Sequence, residues 1–320
     1  MIEQLNHNND DYLNITLSKL NHYGFHKISR IIFIFLTIFC PILVNIIFSY
    51  AIHISPDDRD LFTMVLTMIT TSLSFIALVI LQGNIILKTG YTFFAFFSLF
   101  MGPIIFMIML LIGMLGFSND DANIISIWVQ VLGEIGAAIL GFYLFDNIRK
   151  QYKETIIGFK NPKNIGYYLM IVGGGFVSAY IITILFGKIG ITQLSSNDGG
   201  NTNQNTIDKL LKGSLAGAIP MVMLTTLVAP VLEELATREG IFAIFGNEKK
   251  SWNWTIGAVC SLLYFSNMHV GSSDFKYIID YMGTAIPLIG AYMLGNRNTL
   301  YSIPIHSIWN IMVLVNTYTT

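Results

Sequence analysis

Charge is the property that this sequence most lacks. Only 12% of its 320 residues are charged, whereas soluble domains carry about 25% charged residues. The net charge is -1, so no basic surface indicates a nucleic-acid partner. Apolar residues take the place of the charged ones, with 53% hydrophobic residues and a mean hydropathy of +0.61. This composition is typical of an integral membrane protein.

Cysteine is scarce as well. The two cysteines, Cys40 and Cys260, both lie in apolar runs, where buried and inert thiols are the expected state. A structural disulfide and a cysteine-based metal site are therefore not expected. Residues 1–30 are polar and do not have the short basic region and apolar stretch of a cleaved signal peptide. We interpret them as a cytoplasmic N-terminal segment.

Long apolar runs fill most of the remaining chain. A transmembrane helix needs roughly 20 mostly apolar residues, and on this basis we predict an all-α, polytopic helix bundle with about nine spans. The predicted spans are Ile31–Ile52, Leu61–Leu87, Tyr91–Phe117, Ile124–Phe145, Ile165–Phe186, Ser214–Phe245, Trp254–Met268, Tyr277–Leu294 and Tyr301–Val315. A polar stretch at residues 188–212 is predicted to be a flexible loop. It separates a five-helix membrane region, residues 31–187, from a four-helix region, residues 213–320.

The distribution of Lys and Arg predicts the orientation in the membrane. Basic residues precede the first span and fill the fourth and sixth loops: Lys19, Lys27, Arg30, Arg149, Lys150, Lys153, Lys160, Lys163, Lys249 and Lys250. The first and third loops, with the sequences SPDDRD and SNDDAN, are acidic. Although Lys188, Lys209 and Lys212 run against this bias, the distribution favours a cytoplasmic N-terminus. The abundance of Ile, Asn, Lys and Phe fits a bacterial source, so we expect a multi-pass protein of a bacterial plasma membrane.

Charged side chains within the spans are functional candidates, because burying them in a bilayer is costly. The front half has mainly Glu134, for which a hydrogen-bonded packing role is expected. The sixth span contains Glu233, Glu234, Arg238 and Glu239. Residues four apart share a helix face, so Glu234 and Arg238 are predicted to form an ion pair. Because Glu233 is rotated by about 100° from Glu234, it is left to find other partners.

Three polar side chains on later helices can supply those partners. His269 ends the seventh span, and His306 and Asn310 lie four residues apart in the ninth. A single membrane histidine is as often a packing residue as a functional one. Two histidines and an asparagine in the same half as an unpaired Glu233 favour a shared site. Pro230 frees a backbone carbonyl just before Glu233 and favours a bend or a bound water there.

These residues form three motifs in order along the back half. They are E-E-x-x-x-R (Glu233, Glu234, Arg238), F-x-x-x-H (Phe265, His269) and H-x-x-x-N (His306, Asn310). Together they resemble the CPBP family of intramembrane proteases, which includes CAAX prenyl endopeptidases and bacteriocin-processing or self-immunity proteins. The resemblance covers about Ser214 to Val315. It departs from the family pattern at Thr237, where an aromatic residue is usual, and at Glu239, where glycine is usual.

The resemblance implies a role for each matching residue. Glu233 would be the general base for water, His269 and His306 would hold that water or a metal, and Asn310 would stabilise the oxyanion. Glu234 and Arg238 would be a supporting pair. Whether the site needs a metal cofactor is left open. Glu233, His269 and His306 match a zinc ligand set, but the H-E-x-x-H signature is absent. A mechanism without metal is preferred.

The expected function is hydrolysis of a peptide bond in a membrane-associated peptide or protein tail. The expected partners are this substrate and the lipid bilayer, and the sequence does not give an oligomeric state. An alternative is a non-catalytic immunity or scaffold protein of the same fold. A proton-coupled transporter is less favoured, because the front half has no matching charged cluster.

The depth at which each site residue lies along its predicted span provides a check on the shared site. Counted along straight helices at ~1.5 Å per residue, His306 lies too near the start of its span to meet Glu233. We therefore expect the segment GNRNTLYSIP, residues 295–304, to enter the protein, with Ser302 as the N-cap and Pro304 in the first turn of the ninth helix.

Overall fold

The structure is a computed structural model that describes residues 25–52, 54–86, 111–144, 146–188, 202–245 and 251–319, with a few isolated residues between 87 and 110. Within these ranges the protein is helical and contains no strand, which confirms the all-α class. We number the helices as α1 Lys27–Tyr50, α2 Pro56–Ile86, α3 Asn119–Leu144, α4 Asp146–Gly158, α5 Pro162–Lys188, α6 Thr202–Gly213, α7 Leu215–Phe245, α8 Ser251–Met268, α9 Ile278–Leu294 and α10 Ile303–Thr319.

Six helices in the part of the chain that the structure describes are long and apolar enough to cross a membrane. They are α1, α2, α3, α5, α7 and the helical stretch Phe275–Leu294 that contains α9. The predicted third span, Tyr91–Phe117, lies largely outside the described residues. The seventh and ninth predicted spans are the helices α8 and α10, which have 18 and 17 residues and are shorter than the roughly 20 residues that a full span needs. The count of about nine spans is therefore not confirmed.

The predicted flexible loop at residues 188–212 needs a correction. Its last part is the helix α6, because apolar side chains recur there at helical spacing. Ile207, Leu210 and Leu211 pack against Ile127 and Val131 of α3 and the start of α7. Tertiary packing of this apolar face outweighs the weak helix propensity of the Asn- and Thr-rich sequence.

The two acidic loops form matching helix caps. Ser55 accepts a hydrogen bond from the backbone N–H of Asp58 at 3.2 Å, and Ser118 accepts one from Asp121 at the same distance. Each serine hydroxyl also donates to the aspartate carboxylate at 2.6 Å. These caps satisfy free N–H groups and place negative charge at helix N-termini. The acidic residues of the loops therefore begin α2 and α3.

Contacts at the ends of helices define two ends of the bundle. At the basic end, Arg30 donates to Asn253, and the backbone N–H of Phe25 donates to Ile244. At the opposite end, Lys209 pairs with Asp120 at 2.8 Å. Two segments that the Lys and Arg bias assigned to the cytoplasm, the one before the first span and the one between the sixth and seventh spans, thus meet at the same end of the bundle. The orientation itself stays a prediction.

The segment before α10 is buried although it is not helical. Asn298, Thr299 and Ser302 are each 3% exposed or less. α4 holds this segment from one side, because Asn298 donates to Thr155 at 2.7 Å and Gln151 donates to the carbonyl of Arg297 at 3.0 Å. Irregular backbone is tolerated in such a protein where it is buried against other elements. Ser302 directly precedes α10, and its hydroxyl donates to the Thr299 carbonyl.

Glycine allows α5 to approach α10 closely. A Cβ atom at Gly175 would lie 2.4 Å from the Cδ1 atom of Ile305, which is closer than carbon atoms can pack. Ile305 is fully buried and directly precedes His306. The glycine therefore helps to set the position of the helix that carries His306.

Candidate active site

Two histidines from different helices converge on Glu233. The Nε2 atom of His269, at the end of α8, lies 3.5 Å from the Oε2 atom of Glu233. The Nε2 atom of His306, in the first turns of α10, lies 3.7 Å from the same oxygen. The Glu233 side chain is 12% exposed and that of His269 is 16% exposed. The structure thus brings these three predicted residues together in a nearly closed site.

Hydrogen bonds at the other ring nitrogen fix how each histidine faces Glu233. The Nδ1 atom of His269 lies 2.7 Å from the Phe265 carbonyl oxygen, which can only accept, so Nδ1–H must be the donor. The Nδ1 atom of His306 lies 3.2 Å from the Oε1 atom of Glu234 and donates to that carboxylate. In a neutral imidazole only one nitrogen carries hydrogen. Each neutral ring therefore presents the lone pair of Nε2 towards Glu233.

Glu234 lies at the centre of a second, fully buried network. Its Oε2 atom lies 3.2 Å from the Nε atom of Arg238, and both side chains are 0% exposed. Arg238 also donates from Nη1 to the hydroxyls of Thr237 and Ser261, at 2.7 and 3.1 Å. The Thr237 hydroxyl in turn donates to the Glu233 carbonyl at 2.6 Å. A buried carboxylate needs such a counter-charge. The Glu234 carboxylate also orients His306.

The unusual Thr237 has a clear local role in this network. It stands where the related family usually has an aromatic residue, and its small hydroxyl links the Arg238 guanidinium to the backbone of Glu233. An aromatic ring still contacts Arg238, because the guanidinium carbon lies 4.7 Å from the ring centroid of Phe265. Phe265 comes from α8 and so provides the aromatic contact from a different helix.

Aromatic rings enclose the two histidines. Phe265 lies 4.5 Å from the ring of His269 and 5.6 Å from that of His306, measured between centroids. Tyr281 of α9 stacks on His269 at 4.8 Å and an interplanar angle of 25°. Sequence reasoning missed Tyr281 and Ser261, because a tyrosine or a serine in an apolar helix carries no motif of its own.

Asn310 is held by the backbone of α7. The helix is π-helical over Leu224–Val228, and the N–H of Ala229 donates to the carbonyl of Leu224, five residues back. In this register the Thr225 carbonyl would receive the N–H of residue 230, but Pro230 has none. The Nδ2 atom of Asn310 donates to that carbonyl instead, at 2.7 Å. The amide group retains a second N–H for other partners.

Two π-helical segments flank the glutamates. Glu233 and Glu234 end the short α-helical stretch Ala229–Glu234, which lies between Leu224–Val228 and the second π-helical segment Leu235–Gly240. π-Helical turns are rare and occur often at functional sites. Pro230 accounts for the first of the two, because it removes a donor from the helix.

Glu239 binds residues of other segments. Its Oε2 atom accepts a hydrogen bond from the Tyr292 hydroxyl at 2.9 Å, and the Arg297 guanidinium is near enough to interact with its charge. Arg297 also lies 5.4 Å from the ring centroid of Phe242. The carboxylate that replaces the usual glycine thus links α7 with α9 and with the buried segment before α10.

Glu134 of α3 adds a carboxyl group from the front half. Its side chain is buried, and its Oε1 atom accepts a hydrogen bond from Gln130 at 2.8 Å. Its Oε2 atom has no hydrogen-bond partner among the described residues. The residue is near enough to Glu233 for the two carboxyl groups to interact electrostatically.

The donor set at Glu233 has the chemical composition of a metal site. Two imidazole nitrogens with free lone pairs and one carboxylate are ligands that zinc accepts. Among the residues that the structure describes, however, no group of three His, Cys, Asp or Glu side chains is arranged to hold a metal ion. The residues fit zinc in chemical type but not in arrangement, so we derive no step through a metal.

The described residues thus form a bundle of apolar helices in which a largely buried glutamate faces two histidines. Comparison with known proteins gives a family match for part of the chain. Residues 215–312 match the family described as type II CAAX prenyl endopeptidase Rce1-like. This match confirms the family resemblance for that part of the chain and covers all residues of the three motifs.

Two curated relatives match the chain, and neither of their names gives a function. The chain is 26% identical over 211 residues to an uncharacterized protein of Mycoplasma capricolum subsp. capricolum, which covers 64% of this chain and 60% of that protein. It is 31% identical over 144 residues to the UPF0177 protein YvdC of Lactococcus lactis subsp. lactis, which covers 44% of this chain and 50% of that protein. The matched part therefore spans between half and about 60% of these relatives. No solved structure matches the chain.

Proposed function

We propose that this protein is an intramembrane endopeptidase in which Glu233 is the general base for an attacking water. The observation that carries the proposal is the convergence of the His269 and His306 Nε2 atoms on one oxygen of Glu233, at 3.5 and 3.7 Å. The family match over residues 215–312 supports the same reaction class. A membrane-associated peptide or protein tail is the proposed substrate.

The hydrogen-bond inventory of the site favours a water molecule between these groups. When both rings are neutral and donate through Nδ1–H, both Nε2 atoms and the Glu233 Oε2 atom are acceptors. Three acceptors in one small space need a shared donor, and Oε2 of Glu233 has no hydrogen-bond partner among the described residues. A water molecule supplies two O–H donors and accepts through its lone pairs, and such a site satisfies a buried water well.

Proton transfer then follows from the geometry. The Glu233 carboxylate removes one proton from the water while the water oxygen attacks the carbonyl carbon of the substrate. The resulting oxyanion is stabilised by an N–H donor, for which we propose the second N–H of Asn310. When the C–N bond breaks, the proton held by Glu233 passes to the leaving amine.

Glu234 and Arg238 act on this reaction indirectly. Glu234 accepts from Nδ1–H of His306 and so holds the lone pair of Nε2 towards Glu233. Arg238 neutralises Glu234, which keeps the negative charge of Glu234 from opposing ionisation of its neighbour. We therefore propose that both are positioning residues.

Cleavage in cells tests the proposal even while the substrate is unidentified. Membranes from cells that produce the wild-type protein, Glu233→Gln or Glu239→Gln would be compared by mass spectrometry of newly formed N- and C-terminal peptides. Glu239→Gln is the matched control, because it makes the same change in the same helix and retains an acceptor for Tyr292. We expect the wild-type protein and the control to produce the same set of new termini. This set should be absent with Glu233→Gln.

The contrary result is equally informative. If all three samples contain the same termini while each protein is present and folded, the endopeptidase proposal fails. A non-catalytic immunity or scaffold function would then account for the fold. A peptide that spans an identified cleavage site serves as the substrate for the kinetic experiments below.

A further inference from the structure

The family match begins at residue 215, so it does not assign any role to the front half of the chain. Two front helices nevertheless contact the turn that follows His269. α8 ends at Met268, and residues 270–274 form a turn at the end of the bundle opposite to the basic loops. The backbone position of His269 therefore depends on what holds this turn.

The helix itself holds His269 only weakly. The N–H groups of His269 and Val270 point to carbonyls three residues back, at 3.4 Å each, which is long for a hydrogen bond. The frayed end of a helix has few internal restraints. The Phe265 carbonyl and the Tyr281 ring orient the imidazole of His269, but its backbone position depends on contacts of the turn that follows.

Asp60 of α2 provides that contact. Its Oδ1 atom accepts from the Ser272 hydroxyl at 2.9 Å and from the Ser273 N–H at 3.0 Å. Its Oδ2 atom accepts from the Ser273 hydroxyl at 2.5 Å. One carboxylate thus takes three hydrogen bonds from two consecutive residues, and bonds to a charged acceptor are the stronger kind.

The sequence of the turn is adapted to this carboxylate. A Cβ atom at Gly271 would lie 2.8 Å from the Oδ1 atom of Asp60, so any other residue at that position would displace the aspartate. α1 adds a second contact, because the Ser49 hydroxyl donates to the Ser272 carbonyl at 2.5 Å. Asn45 of α1 also donates to the side chain of Asn267 at 2.9 Å, two residues before His269.

We propose that Asp60 is a positioning residue for His269, which it fixes by binding the Ser272–Ser273 turn. The catalytic consequence of this contact rests on the proposed endopeptidase function; the structural consequence does not. The front half of the chain then has a defined role, since it completes the site that the back half carries.

The first test measures the position of His269 without any substrate. The protein in detergent would be labelled with 15N-histidine, and the imidazole signals of its six histidines would be recorded by NMR. His269→Ala and His306→Ala assign the two site signals. We expect Asp60→Ala and Gly271→Ala to shift the His269 signal and to leave the His306 signal in place.

Asp58→Ala is the matched control. Asp58 lies two residues earlier in the same helix and also binds a serine hydroxyl, that of Ser55, but it does not hold the turn after His269. We expect no shift with this variant. If the His269 signal is unchanged in both Asp60→Ala and Gly271→Ala, or moves equally in the control, the proposal is overturned.

The second test measures catalysis with a peptide that spans an identified cleavage site. A small displacement of a catalytic group can cost on the order of 100-fold in rate, so we expect kcat to fall at least about tenfold in Asp60→Ala with KM nearly unchanged. Asp60→Asn keeps an acceptor oxygen and should recover most of kcat. If Asp60→Ala does not fold, Gly271→Ala carries both tests, because its Cβ atom would displace the Asp60 carboxylate, and Asp60→Asn stays the conservative control.

The two tests separate the two proposals. A shifted His269 signal with an unchanged kcat would overturn the catalytic role of Asp60. A wild-type protein that cleaves nothing would overturn the endopeptidase proposal, while the NMR result would still decide whether Asp60 positions His269.

Discussion

The buried pair of Glu234 and Arg238 makes a quantitative prediction about stability. Their nearest atoms are 3.2 Å apart and both side chains are 0% exposed. At an effective dielectric constant of about 20, two unit charges at this distance interact by about 5 kcal/mol. Desolvation opposes most of this attraction, so the pair contributes little compared with apolar residues. Removal of one partner, however, leaves the other charge buried and uncompensated.

We therefore expect a marked non-additivity between two substitutions. Arg238→Met alone should destabilise the fold by about 3–5 kcal/mol, because it leaves Glu234 charged and buried. The double variant Glu234→Gln with Arg238→Met should lose less than the sum of the single variants, by about 1–3 kcal/mol. Glu234→Gln keeps an acceptor for His306, so the change is mainly one of charge.

The assay is reversible unfolding in mixed micelles, followed by far-ultraviolet circular dichroism, for the wild-type protein and the three variants. The exposed pair of Lys209 and Asp120 is the control, for which the corresponding cycle should give a coupling of less than about 1 kcal/mol. Additive losses for Glu234 and Arg238 would refute the reasoning, because they would mean that the two charges do not compensate each other.

Three further predictions concern the site. Tyr281→Ala should lower kcat about tenfold or more through loss of the stack on His269, whereas Tyr281→Phe should retain activity; equal losses would contradict a role for the ring. Pro230→Ala restores an N–H for the Thr225 carbonyl, so Asn310→Ala should cost less stability in that background than in the wild-type protein; an equal cost would mean that Asn310 does not replace the missing donor. Dialysis against a strong chelator should leave peptide cleavage intact, and loss of activity that zinc alone restores would show that the metal-free mechanism is wrong.

Local helix geometry accounts for the part of the site that the sequence predicted. Glu234 and Arg238 are four residues apart, and this spacing alone placed them in contact. The same geometry turned Glu233 away from Arg238 and left it for the histidines. His306 Nε2 lies 3.7 Å from Glu233 Oε2, and the buried, non-helical segment before α10 accounts for this short distance.

Contacts between distant segments could not be predicted in this way. Asp60 contacts Ser273 across more than 200 residues, and no period or motif in a single sequence indicates such a pair. Glu239 departs from the family pattern, and nothing in the sequence indicates that the Tyr292 hydroxyl donates to it. α6 was missed because its apolar face is short and interrupted, and only packing against α3 and α7 makes the helix stable.

The most direct test of the central claim is the rate of peptide cleavage by purified Glu233→Gln. A general base contributes about 10²–10⁴-fold to a rate, so we predict a fall in kcat of at least about 100-fold, with an unchanged unfolding profile and with Glu239→Gln close to the wild-type rate. Cleavage by Glu233→Gln at the wild-type rate would contradict the assignment of Glu233 as the base that activates water.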